Sequence, residues 1–113
     1  MALPQRIPRK STKAEGGRRS PAHRQWVRGH ACSACGALAP IEAAHVRTGT
    51  DGGTGIKPSD RWVISLCRDC HHNQHALGEA PFERLHGIDM KALAAEFFAK
   101  SPHRFKLMEA GRG

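Results

Sequence analysis

The chain has 113 residues, the length of one small domain, and a formal net charge of +8 at pH 7. Only 5% of its residues are aromatic, so the hydrophobic core is thin and favours support from a metal ion or from oligomerisation. No apolar stretch approaches the length of a membrane span, and residues 1–13 lack the apolar region of a signal peptide. These features predict a cytoplasmic protein that does not associate with a membrane.

The positive charge is concentrated at the N-terminus. Residues 1–28 contain eight cations and one anion, which gives +7, whereas residues 29–113 contain ten cations and nine anions. Because residues 1–19 are basic and polar and include two prolines, we predict an arm that is disordered when free. Such an arm suits the phosphates of nucleic acid, with Arg18 and Arg19 among its contacts. A merely solvated tail is the alternative.

Capping residues and hydrophobic periodicity predict the secondary structure that follows the arm. Ser20 is a good N-cap and Pro21 suits the first helical position, so a short helix begins there and ends at Gly29. Two strands are predicted on either side of a glycine-rich loop, at 41–46 and 61–66. Three helices are predicted after them, at 68–77, 81–86 and 90–100, the last with Asp89 as its N-cap.

All four cysteines lie in two C-x-x-C pairs, Cys32 with Cys35 and Cys67 with Cys70. Thiolates are strong zinc ligands, and two such pairs supply the complete ligand set of a closed tetrahedral site. Two disulfides are the alternative, which a secreted protein would favour. We therefore predict one structural zinc ion bound by all four cysteines.

Three of the eight histidines are candidates for chemistry. His71 and His75 stand four residues apart in a predicted helix, so both rings face one side and can bind one metal ion. Chance pairing on a histidine-rich helix is one alternative, and pairing of His75 with His72 is another. His45 ends the first predicted strand, where a neutral imidazole is a suitable general base. A strand histidine that bonds a backbone carbonyl is the alternative for His45.

Several motifs occur in a specific order, namely CSAC, EAAHVR, GTDGGTGIKPSD and RWVISLCRDCHHNQH. In this order they resemble the HNH endonuclease superfamily with a four-cysteine zinc. The similarity extends to small phage and prophage HNH proteins, including the recombination-enhancing RecA-dependent nucleases, and covers roughly residues 20–90. It implies an α+β fold, a small ββα-metal or treble-clef-like nuclease domain over 20–113. Its core would span about 30–78, and extra C-terminal helices would occupy 81–100.

The resemblance also implies an activity and a set of site residues. The activity is metal-dependent hydrolysis of DNA phosphodiester bonds with low sequence specificity, in phage or prophage recombination or processing. His45 matches the general base, Asp60 lies near the asparagine that orients this base, and His71 with His75 match the ligands of the catalytic ion. That ion would be Mg²⁺ or Mn²⁺, with Ni²⁺ or Zn²⁺ as further candidates. The implied phosphate contacts are Arg47, Lys57, Arg61 and Arg68.

The implied partners are duplex or single-stranded DNA and a recombinase, with the protein acting as a monomer or a homodimer. Two positions depart from the family pattern. Ala44 stands where many members carry an aspartate or histidine metal ligand, and Asp60 or a neighbouring residue stands in place of the asparagine. Either waters complete the metal shell, or Glu42 or Asp60 does, or the metal binds weakly. The alternative function is a catalytically weak or inactive zinc module that binds nucleic acid or a recombination partner.

Overall fold

The computed structural model describes residues 18–52, 57–105 and 107. Within these ranges, a helix precedes an antiparallel pair of strands, and further helices follow the second strand. The elements are α1 Pro21–Arg28, β1 Ile41–His45, β2 Val63–Cys67, α2 Arg68–Leu77, α3 Glu79–His86 and α4 Met90–Lys100. This arrangement confirms the predicted α+β class and the order of strand, loop, strand and helix. No helix within the described ranges has the length and apolar character that crossing a membrane requires.

The boundaries differ from the prediction at three elements. Strand β1 ends at His45, one residue before the predicted end at Val46. Strand β2 begins at Val63, because Arg61 and Trp62 form the turn that leads into it. Helix α3 begins at Glu79, two residues before the predicted start at Pro81. A proline is tolerated there because the N–H groups of a first helical turn have no partner within the helix.

The two faces of the sheet pack against different helices. In the register, Ala44 lies opposite Ile64 and His45 lies opposite Val63. Successive side chains of a strand point to opposite faces, so Ala44 and His45 lie on different sides of the sheet. Ala44, Ile64 and Leu66 are fully buried in the core with Phe82, Met90 and Ala94 of α3 and α4. The face that carries His45 packs against α1.

The loop before β2 anchors the start of α1. Arg18 donates to the carbonyl of Lys57 at 2.9 Å, and Arg19 donates to the carbonyl of Pro58 at 2.6 Å. In the opposite direction, the backbone N–H of Asp60 donates to the carbonyl of Arg18 at 2.7 Å. Arg18 and Arg19 are therefore part of the folded domain, which corrects the prediction that they belong to a disordered arm. The rest of that predicted arm, residues 1–17, lies outside the described residues.

The junction between α2 and α3 depends on one glycine. Gly78 ends α2 and begins α3 with φ 87° and ψ 159°. This region of backbone conformation is open essentially only to glycine, because a side chain would be strained there. Gly78 thus allows the helix that carries the histidine pair to be followed at once by another helix.

Below pH 6.5 the protein is expected to lose stability through His23, which is fully buried in α1 and bonds Ser101 at 2.7 Å. Burial lowers the pKa of His23 to about 4, although Asp60 opposes this shift. An unfolded histidine titrates near 6.5, so the unfolded chain takes up a proton between pH 6.5 and 4 that the folded chain does not. The free energy of unfolding therefore falls as pH falls, by at most about 1.4 kcal/mol per pH unit.

Denaturant unfolding between pH 7 and pH 4 measures this dependence. His23→Gln should flatten it by the equivalent of one proton, whereas His72→Gln should leave it unchanged, since His72 is exposed. An unaltered slope for His23→Gln would mean that other groups cause the acid sensitivity.

Candidate active site and metal centre

The four cysteines lie together at the base of the sheet. Their sulfur atoms are all within 4.8 Å of one another, and Cys35 Sγ is 3.7 Å from Cys67 Sγ. A disulfide would require about 2.05 Å, whereas two thiolates of a tetrahedral zinc site lie about 3.8 Å apart. All four cysteines are free, so the cluster could hold a metal ion, and its geometry suits a structural zinc.

Local structure positions these sulfur atoms. Cys67 ends β2 and caps α2, its sulfur accepting from the N–H of Cys70 at 3.4 Å. Cys32 accepts in the same way from the N–H of Cys35 at 3.4 Å. Burial would raise the pKa of Cys32, but backbone hydrogen bonds from the cluster lower it to about 6. Burial and the neighbouring cysteines raise the pKa of Cys70, so a cation is needed to keep all four thiolates ionised.

His45 and Asp60 form a hydrogen-bonded pair between the end of β1 and the loop before β2. His45 Nε2 lies 2.8 Å from Asp60 Oδ1. Burial would raise the pKa of Asp60, but bonds from His45 and the Ser20 N–H, with the charge of Arg24, hold it below its usual range. Because the ionised carboxylate can only accept, Nε2 of His45 carries a proton, which leaves Nδ1 as the ring nitrogen that could accept one.

Asp60 also connects this pair to α1. The carboxylate is fully buried, and its Oδ2 accepts from the N–H of Ser20 at 2.7 Å. The same oxygen lies 3.0 Å from Arg24 Nε, and Arg19 Nη1 lies 3.4 Å from Oδ1. A buried carboxylate needs such partners to remain charged. The contacts from α1 and from the two residues before it therefore hold both the ionisation and the orientation of Asp60.

His71 and His75 converge on the exposed side of α2. Their Nε2 atoms lie 3.2 Å apart, close to the roughly 3.4 Å that separates two imidazole nitrogens on a tetrahedral zinc ion. Glu42 of β1 accepts from His71 Nδ1 at 2.7 Å, which directs the lone pair of His71 to Nε2. Within the described residues, neither Glu42 nor Asp60 joins the pair as a third ligand atom, because the cysteines form the only group of three or more.

The departure at Ala44 has a structural explanation. Ala44 is fully buried and packs in the apolar core, so a ligand at this position would lie among hydrophobic side chains. Glu42 stands two residues earlier, on the same face of β1, and contacts the helix that carries the histidine pair. The carboxylate nearest to the pair thus comes from a different position than the family pattern implies.

One cleft of about 790 Å³ brings His45, His71 and His75 together. Its walls are α1, the end of β1, the loop around Lys57 and the junction between α2 and α3. Four cations line it, namely Arg24, Arg28, Arg47 and Lys57. A cleft with this charge is suited to an anionic ligand.

The predicted phosphate contacts fall into three groups. Arg47 and Lys57 line the cleft, and Glu79 holds the turn at Arg47 by accepting from the N–H groups of Arg47 and Thr48, both at 2.8 Å. Arg61 stacks on Phe98 at 4.3 Å and does not line the cleft. The remaining three are Arg68, exposed at the start of α2, and Arg18 and Arg19, which bond the 57–60 loop.

Sequence reasoning missed Arg24 and Arg28 as cleft residues. The available signal was their spacing of four residues in a predicted helix, which places both on one face. That spacing alone does not show which face of α1 meets the cleft, because the answer depends on how α1 packs against the sheet.

The chain was compared with known families, curated proteins and solved structures. A family model described as a protein of unknown function, DUF968, matches residues 8–102. No curated protein matches the chain, and no solved structure matches it.

Proposed function

The chain belongs to the DUF968 family, a family of unknown function, and from its site we propose that it is a metal-dependent endonuclease of the HNH type. It would hydrolyse phosphodiester bonds of DNA. The observation that carries the proposal is the cleft that joins a carboxylate-oriented histidine to a convergent histidine pair beneath four cations. A base, a metal-binding pair and an anion-binding wall are the parts that such a hydrolysis requires.

His45 would act as the general base. Asp60 accepts the Nε2 proton, so Nδ1 can take a proton from a water molecule as that water attacks phosphorus. The buried carboxylate then stabilises the imidazolium that forms, without itself becoming protonated. Ser20 and Arg24 keep this carboxylate in place during the proton transfer.

The residues of α2 fit a divalent ion. His71 and His75 would hold it through their Nε2 atoms, and Glu42 fixes the ring of His71. When bound, such an ion stabilises negative charge on the phosphate and the leaving oxygen. Two imidazoles suit Mn²⁺, Ni²⁺ or Zn²⁺ better than Mg²⁺, although Mg²⁺ is the usual cellular ion. The four cysteines would hold the structural zinc that aligns α2 with the strands.

The cations of the cleft suggest the substrate class. Arg47 and Lys57 would contact phosphates, which every DNA sequence shares, so low sequence specificity is expected. A role in phage or prophage recombination, alone or with a recombinase, rests on the motif resemblance.

A plasmid-nicking assay tests the proposal. Wild-type protein should convert supercoiled plasmid to open circles with Mn²⁺ or Mg²⁺, and EDTA should stop the reaction. His45→Ala should cut about 10²- to 10⁴-fold more slowly, because it lacks the base, while its DNA affinity stays unchanged. His72→Ala is the matched control, since His72 is exposed on α2 and does not line the cleft.

Equal cutting by wild type and His45→Ala would contradict the assigned base. A second candidate function is a non-catalytic zinc module that binds nucleic acid. It is favoured by the apolar burial of Ala44 and by the two-residue ligand set at His71 and His75. Binding of DNA by both proteins, without cutting under any of the four divalent ions, would establish this second function instead.

A further inference from the structure

Helix α1 presents two arginines to the cleft. Arg24 and Arg28 are one helical turn apart, a rise of about 6 Å, and both line the same wall. Neither belongs to the histidine and cysteine motifs. Ser20 and Val27 lie one turn from Arg24 and are both buried, so the helix cannot turn these arginines away from the cleft without unpacking.

Arg24 is linked to the base by two short contacts. Its Nε lies 3.0 Å from Asp60 Oδ2, and Asp60 Oδ1 lies 2.8 Å from His45 Nε2. The side chain of Arg24 is 32% exposed and lines the cleft, whereas its Nε is buried. A guanidinium held by one nitrogen is preorganised to bind a phosphate with the others.

We propose that α1 is a phosphate-binding element of this site: Arg24 binds the phosphodiester that faces His45, and Arg28 binds a neighbouring phosphate of the same strand. This inference rests on the proposed nuclease function for its choice of ligand. Asp60 then positions the base and the substrate together, because one carboxylate contacts both His45 and Arg24. The negative charge of Asp60 does not depend on Arg24 alone for a partner, because Arg19 Nη1 also lies 3.4 Å from this carboxylate.

The salt dependence of DNA binding tests the contacts without relying on cleavage. A short duplex oligonucleotide is titrated with His45→Ala protein that carries Arg24→Gln, Arg28→Gln or Arg84→Gln. Each lost phosphate contact should reduce the slope of log affinity against log salt by about 0.9. We expect this reduction for Arg24→Gln and for Arg28→Gln. Arg84 is exposed on α3 outside the cleft, so Arg84→Gln should leave the slope unchanged.

Hydrolysis of bis(4-nitrophenyl) phosphate separates the two positions, because this diester carries a single phosphate. Arg24→Gln should lower its turnover by about 10- to 100-fold, the value of a lost charge-assisted hydrogen bond, whereas Arg28→Gln should lower it less. Arg84→Gln should leave it unchanged, since Arg84 lies outside the cleft. A cooperative thermal unfolding transition for each variant serves as the control for folding. Arg24→Lys keeps the positive charge, so it should retain the wild-type slope of log affinity against log salt.

The outcomes separate this inference from the proposed function. Unchanged binding slopes for folded Arg24→Gln and Arg28→Gln would overturn the inference, even if wild type cuts DNA. Reduced slopes with a wild type that cuts neither DNA nor the small diester would sustain phosphate binding by α1 and overturn the nuclease proposal. Equal loss of small-diester turnover in both variants would contradict the assignment of Arg28 to a neighbouring phosphate.

Discussion

Cys67→Ser should purify without bound zinc and should show no cooperative thermal unfolding transition. Cys67 joins β2 to α2, and its sulfur lies 3.7 Å from Cys35 Sγ across the cluster. Binding of structural zinc contributes about 10–16 kcal/mol in zinc-finger peptides, which matches or exceeds the roughly 5–15 kcal/mol of a whole domain. Only 5% of the residues are aromatic, so the small hydrophobic core cannot compensate for the loss of the zinc ion.

Metal analysis and circular dichroism measure this effect. Wild type should contain about one zinc per chain and should unfold when a strong chelator removes it. Arg68→Ala is the control, because Arg68 is exposed beside Cys67 and should retain both metal and fold. A metal-free wild type with unchanged stability in reducing buffer would rule out a structural ion at the cysteines.

Asp60→Ala is expected to lower the free energy of unfolding by about 3–5 kcal/mol and to reduce cleavage at least as much as loss of the base. The substitution leaves the ring of His45 and the N–H of Ser20 without their acceptor, and it leaves Arg24 without its ion-pair partner. The base would lose its orientation, and α1 would lose its tie to the loop before β2.

The stability effect should depend on pH in a defined direction. The folded pKa of Asp60 lies below its ordinary value of about 3.9, so its contribution is fully present above that value and is lost as pH falls through the folded pKa. The difference between wild type and Asp60→Ala should therefore be constant near pH 7 and shrink below about pH 4. Chemical denaturation of both proteins at pH 7 and below pH 4 measures this difference in the free energy of unfolding.

Two variants serve as references for Asp60→Ala. Asp60→Asn keeps one acceptor oxygen for His45 but sets an NH₂ group against the Ser20 N–H or Arg24, so its losses should be intermediate. Asp69→Ala removes an exposed carboxylate in the first turn of α2 and should cost less than about 1 kcal/mol. Cleavage by Asp60→Ala at the wild-type rate would show that His45 does not depend on this carboxylate.

Local features of the sequence predicted much of the secondary structure. Ser20 and Asp89 are N-caps whose side chains accept from N–H groups three residues on, at 3.1 and 3.0 Å. Such signals depend on residues within one turn of the chain, so they can be recognised without knowing the fold. The spacing of His71 and His75 belongs to the same class, because helical geometry alone brings residues four apart onto one face.

Amino-acid sequence by itself determined the paired cysteine motifs, the strand–loop–strand–helix order and the histidines available to one site. Only the tertiary structure decided that Asp60 joins His45 to α1, that Glu42 bonds Nδ1 of His71, and that Arg24 and Arg28 line the cleft. These contacts join residues 15 to about 40 positions apart. Their formation depends on how α1 and α2 pack against the sheet, and no local propensity encodes that packing.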